Sequence, residues 1–195
     1  MNIFEEKGIE RLFRKRILVL SGDITPKKSD ELVLKFLNLA SHSNKEIKLI
    51  INTDGGDFIE AIHLFDFLKI IKPNIIGIVV GNCHSSGVIL LQACSKRLAT
   101  PNSHFLVHSL SLNFKISTSR ELDDLRNNFE EKLLDGFLHQ KIMCEILKKR
   151  MKLPEEQIKH LLKRGDSNIA ITATWAKKYN LIDEIVPNFK VDLAK

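Results

Sequence analysis

Two adjacent hydroxyls, Ser85 and Ser86, stand in G-N-C-H-S-S-G-V (residues 81–88), directly after the apolar run N-I-I-G-I-V-V (74–80). Where a buried strand hands over to a helix, the first helical N–H groups lack partners and the helix dipole favours negative charge. A serine at that junction has two uses. It can cap the helix by accepting one of those N–H groups, or it can act as a nucleophile whose tetrahedral intermediate they stabilise. Gly81 and Gly87 permit a tight turn and close approach of a substrate backbone. Taken alone, G-x-x-x-S-x-G favours the cap.

Two other segments bear on the choice. N-T-D-G-G (52–56) closes an earlier apolar strand, so the N–H groups of Asp54-Gly55-Gly56 fall at the C-terminal edge of a parallel sheet. Sites of α/β proteins form at that edge. His108 ends the strand after the serine helix and reaches the same edge, where it would serve as a general base. A lone histidine at a strand end is usually structural. Beside a serine elbow and a diglycine loop it becomes a candidate triad member.

The elements that must position these residues alternate from the start. Residues 16–21 (R-I-L-V-L-S) predict a strand, and Thr25-Pro26 supplies an N-cap and an N1 proline for a helix to about residue 41. A strand over 46–51, a helix over 58–71 stopped at Pro73, the strand 74–80 and a helix over 86–94 follow. A short strand at 97–100 precedes the one that ends at His108. Thr118-Ser-Arg-Glu121 matches a capping box and opens a long helix to about residue 151, whose apolar positions recur at three to five residues. Such a helix presents one apolar face and commonly packs on a partner subunit. Pro154 starts a helix that Gly165 ends, and residues 172–179 form a last short one before L-I-D-E-I-V. The pattern predicts an α/β fold with a parallel sheet covered on both faces, in one domain spanning 1–195.

Composition excludes several classes. The 195 residues are 44% hydrophobic and 28% charged, as in a soluble globular protein with a substantial core. The net charge of +6 is spread along helical faces with acidic neighbours, which reads as a solvated basic surface and not a nucleic-acid site. The segment 11–16 (R-L-F-R-K-R) is an exception that either docks an acidic partner or flanks a strand. Cys83, Cys94 and Cys144 form no paired motif and fit buried free thiols in a reducing compartment. The seven histidines give no ligand cluster beyond His104 and His108, so zinc is not expected. Neither a secretory signal nor an apolar run long enough to span a membrane is visible, which predicts a cytoplasmic chain.

From about residue 16 to 186 the sequence resembles the proteolytic subunit of the ATP-dependent Clp protease, within the fold clan that includes the crotonases. The family's I-N-S-P-G-G is matched by I-N-T-D-G-G (51–56), and its G-Q-A-A-S-M-G-A by G-N-C-H-S-S-G-V (81–88). Its L-P-N-S-R-x-M-I-H-Q-P is matched by T-P-N-S-H-F-L-V-H-S-L (100–110), and its S-A-x-E-A-x-x-Y-G-L-V-D by T-A-T-W-A-K-K-Y-N-L-I-D (172–183). The resemblance implies repeated β-β-α spiral units with a protruding handle helix at about 118–151. It puts Ser85 in the nucleophile's place, His108 in the general base's, and the N–H groups of Gly56 and Ser86 in the oxyanion hole. Ser86 then holds the methionine position and is not the nucleophile. It further implies a homo-oligomer of stacked heptameric rings, unfolded polypeptide substrates, an AAA+ unfoldase ring as partner, and no metal or organic cofactor.

The chain departs from the pattern in places. Counted back without gaps from Thr172-Ala173, the family's aspartate falls on Asn168, while Asp166 lies two residues earlier in a segment about three residues longer than the family norm. Asn168 is the expected third triad member, with Asp166 as the alternative. After His108 the family's glycine-rich substrate-binding strand is replaced by S-L-S-L-N-F-K-I-S (109–117), and by the resemblance the N-terminal segment, 1–15, is expected to lack most of the axial loop. Three functions stay open: an active serine peptidase, a catalytically weak structural subunit of a mixed ring, and a crotonase-like acyl-CoA enzyme. The P-N-S…H strand speaks against the last.

Overall fold

A computed structural model describes residues 3–108, 119–163 and 170–187, with side chains described over 8–108, 129–162 and 170–187. Chain order is α1 (Ile3–Arg14), β1 (Ile17–Ser21), α2 (Pro26–His42), β2 (Ile47–Thr53), α3 (Phe58–Ile70), β3 (Ile75–His84) and α4 (Ser86–Leu91). Then come β4 (Lys96–Ala99), β5 (His104–Leu106), α5 (Ser119–Lys148), α6 (Glu155–Lys163), β6 (Ile171–Thr172), α7 (Ala173–Lys178) and β7 (Glu184–Ile185).

Strands β1, β2, β3, β4 and β7 lie side by side in that order, each pair parallel. The α/β, mostly parallel architecture expected from the alternation is the one observed. Its core is Leu20, Ile47, Leu49, Ile51, Ile75, Ile78 and Val79 from the strands, covered by Leu32, Phe36 and Leu39 of α2 and by Ala61, Leu64 and Leu68 of α3. Each such large aliphatic or aromatic side chain contributes about 1.5–3 kcal/mol when fully buried. One face is less covered than a near-continuous apolar pattern suggests. Buried and open positions alternate along β1 and β2, and Val19 is half exposed.

The largest difference from the sequence expectation is the length of β3. It does not stop at residue 80 but continues through His84. Its first half pairs with β4 (Ile76 with Lys96 to Val79 with Ala99), and its second half pairs in parallel with β5 (Asn82 with His104 to His84 with Leu106). Between Ile51 and Thr53 of β2 the partner residues on β3 jump from Val79 to Cys83, so β3 bulges there. Gly81 makes the bulge possible with φ 94. The polar triplet Asn82-Cys83-His84 is a strand because of its new neighbour, not because of its composition.

Arg16 settles the role of its end of the basic 11–16 segment. Its guanidinium donates to the carbonyls of Leu39, Ser43, Lys45 and Glu46, holding the C-terminal end of α2 and the turn beyond it. Arg14 pairs with Glu10 one turn earlier on α1. Helix α5 divides in two. Its last turns bury Met143, Cys144, Ile146 and Leu147, while Leu134 and Phe137 are 68% and 63% exposed. The cap residue Thr118 and the helix stop Gly165 lie outside the described residues, as does the 109–117 segment. No described helix is long and apolar enough to cross a membrane.

Candidate active site

Loops at the C-terminal ends of β2 and β3 meet, and the second loop carries Ser85. Its backbone has φ 52 and ψ −128, a conformation that L side chains rarely adopt and that costs on the order of 1–3 kcal/mol. Two contacts hold it there: the Ser85 N–H donates to Leu106 O at 2.7 Å, and Ser85 O accepts the Val88 N–H at 3.0 Å. Although Ser85 is at the N-cap position of α4, its side chain makes no capping hydrogen bond. The helical-cap use of this hydroxyl is therefore not the one the fold makes of it. A strained serine between a strand and a helix, with an uncommitted cap, has the form of a nucleophile elbow.

Ser86 differs in every respect. It is 2% exposed, and its hydroxyl donates to Gly56 O at 3.2 Å. That bond ties α4 to the diglycine loop. All six residues of α4 are buried, so the helix is an internal plug whose first turn faces the loop.

The diglycine loop is braced from below. Thr53 Oγ1 donates to Gly22 O (2.7 Å) and accepts the Gly55 N–H (3.0 Å). Ile24 bridges the loop in parallel fashion: its N–H donates to Gly55 O and its carbonyl accepts the Asp57 N–H. In such pairing the N–H and C=O of Gly56 itself point away from Ile24. The Gly56 carbonyl reaches Ser86, which puts that face of Gly56 on the α4 side. Gly55 and Gly56 have φ 106 and 135, and a Cβ on Gly56 would lie 2.3 Å from Ile24 O. A Cβ on Gly55 would lie 2.7 Å from Ser85 Cβ. Only glycine lets the loop pass this close to the serine. Asp57 then starts α3 at once, its carboxylate accepting the N–H groups of Ile59 and Glu60.

His108 follows β5 by two residues and is half-buried. Because Leu106 O accepts the Ser85 N–H, the strand leading to His108 is fastened to the serine's own backbone. Asn168 and Asp166 both lie outside the described residues.

With Ser85, Gly56 and the His108 strand brought to one sheet edge, likeness to known proteins becomes informative. The Clp protease family model matches residues 5–189. The chain belongs to the Clp protease family. It is 26% identical over 192 residues, 97% of this chain and 82% of the relative, to the ATP-dependent Clp protease proteolytic subunit 1 of Thermobifida fusca (strain YX). Family membership supports a peptidase.

Two features of this chain carry no signal in the sequence pattern. At the site, His84 Nδ1 lies 3.1 Å from Asp54 Oδ1, which also accepts from Asn82 Nδ2 at 3.0 Å. Burial lowers the affinity of His84 for a proton; Asp54 opposes this, and His104 and His108 act in the same sense as burial. His84 Nε2 is buried and has no hydrogen-bond partner among the described residues. Further along the sheet, Arg97 is 2% exposed on β4 and donates to the Asp183 carboxylate through Nε and Nη2, to Gln92 Oε1 and to Asn180 O. An arginine within S-K-R-L-A-T is all that the sequence shows of this lock, and local pattern cannot tell it from a surface arginine.

All three cysteines are free and buried. Burial raises the Cys94 thiol to about 12 and pushes Cys83 higher still, so neither is a thiolate at neutral pH. Among the described residues no group of histidine, cysteine and carboxylate side chains is arranged to hold a metal ion.

Proposed function

We propose that this chain is a serine endopeptidase subunit in which Ser85 is the nucleophile, His108 the general base, and the N–H groups of Gly56 and Ser86 the oxyanion hole. The observation that carries the reading is Ser85 itself: φ 52, ψ −128, with no capping bond for its hydroxyl. Strain of this kind persists only where the surroundings over-determine it, and it clusters at active sites.

In the reaction, Ser85 Oγ attacks the scissile carbonyl carbon while His108 takes the hydroxyl proton. The carbonyl oxygen becomes an oxyanion and accepts the two N–H groups, which are held in place before the charge develops. His108 then gives its proton to the leaving amine, the C–N bond breaks, and an acyl-enzyme remains. Water attacks that ester, His108 taking its proton and returning it to Ser85 Oγ. The third member is Asn168, with Asp166 as the alternative. Asparagine can accept the His108 Nδ1–H bond but offers no full charge to the imidazolium. The corresponding aspartate-to-asparagine change in trypsin lowers turnover about 10⁴-fold.

The proposed substrates are unfolded polypeptides, cleaved inside a homo-oligomeric chamber of heptameric rings fed by an AAA+ unfoldase, without metal or cofactor. The relative's name, an ATP-dependent proteolytic subunit, supports the coupling. Large apolar side chains open to solvent in the single chain, Leu34 at 66% and Ile70 at 79%, together with the α5 stripe, support assembly.

The test is labelling of the purified protein with a fluorophosphonate probe, with the modified residue located by peptide mass spectrometry and His108→Ala run in parallel. The expected result is an adduct on Ser85 that fades in the histidine variant. Absence of adduct from folded, ring-forming protein would overturn the peptidase reading and favour a catalytically weak structural subunit.

A further inference from the structure

We propose that Asp54 and His84 form a clasp between the diglycine loop and the serine elbow, acting as positioning residues that set the Gly56 N–H against Ser85. The catalytic consequence rests on the reading of Ser85 given above; the clasp itself does not.

Asp54 immediately precedes the two glycines, and His84 immediately precedes the serine. Their side chains meet at 3.1 Å, and Asn82, two residues before His84, adds a second bond to the same Asp54 oxygen at 3.0 Å. Both loops need such a tie. Gly55 and Gly56 occupy φ 106 and 135 and have no side chains to interlock, while Ser85 is held off its preferred backbone regions. The other braces act from Asn52, Thr53, Ile24 and Ser86. Of these, Ser86 joins the diglycine loop to the segment bearing the serine from the helix side, and Asn52 Oδ1, accepting the Asn82 N–H, ties the base of the loop to β3. Asp54–His84 joins them from the strand side, so the pair of loops is pinned at both flanks.

The substitution pattern points the same way. In the family motifs matched above, proline stands where this chain has Asp54, and alanine where it has His84. Proline fixes its own φ and stiffens a turn without outside help. Aspartate does not, and a hydrogen-bonded partner supplies the missing restraint. The two departures occur at the two ends of one contact. The charged and titratable groups facing His84 are Asp54 on its loop, His104 on β5 and His108 beyond it. Asp54 is 71% exposed, so solvent weakens the pair and the expected effect is moderate. Misplacement of a catalytic group by about 1 Å can cost about 100-fold in rate, and a loosened clasp is expected to cost about tenfold.

The experiment compares the full chain with His84→Ala, Asp54→Asn, the two combined, and Asp54→Pro/His84→Ala. Fluorophosphonate labelling rate at Ser85 and deuterium uptake by peptides covering 52–57 and 81–86 are measured, with thermal midpoints as a control for folding. Each single variant is expected to slow labelling about tenfold and raise uptake in both segments, including the one it does not alter. The combined variant should be no worse than the poorer single one, as partners in one interaction are non-additive. Asp54→Pro/His84→Ala should regain most of the rate and the protection. Unchanged uptake in the unaltered segment, rate losses that multiply, or losses that follow the thermal midpoint would each overturn the clasp. If the unaltered protein fails to label, the peptidase reading falls while the uptake data still decide the clasp.

Discussion

The Ser85 elbow and the Arg97 lock flank the same strand, β3, and use polar groups in opposite ways. At Arg97 a buried guanidinium finds acceptors on Asp183, Gln92 and Asn180, so its charge is compensated inside the fold. At Ser85 the hydroxyl makes no capping bond, the backbone is strained, and the neighbouring His84 Nε2 is left without a described partner. The first arrangement stabilises: breaking it leaves buried charge unpaired. The second leaves polar groups without partners among the described residues. Satisfied polar groups mark architecture and unsatisfied, strained ones mark a site.

Substitutions should separate the two. Ser85→Gly sharpens the contrast most. It should abolish labelling and lower peptidase activity by about 10³-fold or more. The same variant should gain about 1 kcal/mol of stability in urea unfolding, because glycine adopts φ 52 without strain. A stability loss there would break the comparison. Arg97→Met should do the reverse, costing about 1–3 kcal/mol as Gln92, Asn180 and the partly exposed Asp183 carboxylate lose their donor. Chemical denaturation of the assembled protein would measure it, and a loss under about 1 kcal/mol would show that the lock is not what holds β4 and β7 together.

Gly55→Ala tests the interface between the two kinds of region. Its Cβ would sit 2.7 Å from Ser85 Cβ at a φ of 106. Labelling should therefore fall about 10- to 100-fold, while stability falls by only about 1–3 kcal/mol. The smallest effect is on acid sensitivity. Burial alone would raise the Asp183 pKa, but the hydrogen bonds and charge of Arg97 more than offset it and hold the carboxyl below its usual value. A depressed folded value contributes stability that is complete above the unfolded value, about 4, and is lost as pH falls through the folded one. The difference in thermal midpoint between the native chain and Asp183→Asn should therefore be constant near neutral pH and shrink below about pH 4.

Much of the fold was legible because its signals are local. Thr25-Pro26 starts α2 where a cap and an N1 proline belong, and Thr172 caps α7 by accepting the Trp175 N–H. The β3 extension was not legible, for the opposite reason: Asn82, Cys83 and His84 carry no strand pattern of their own and are strand through β5 and, at Cys83, Thr53 of β2. The clasp and the lock are hidden likewise. Asp54 and His84 are 30 residues apart in the chain, and Arg97 and Asp183 are separated by 86.

By itself the sequence determined the alternation of strands and helices, the glycines at the two turns, the family and the candidate pair Ser85 and His108. These rest on residue type and short-range spacing, which backbone sterics and hydrophobic periodicity translate directly into structure. Only the tertiary structure decided which of the two serines is buried as a tie and which stands strained and uncapped. It alone joined Asp54 to His84 and Arg97 to Asp183. Such choices depend on pairings between distant strands, and the energy of a polar side chain is set by the partners that the fold brings to it.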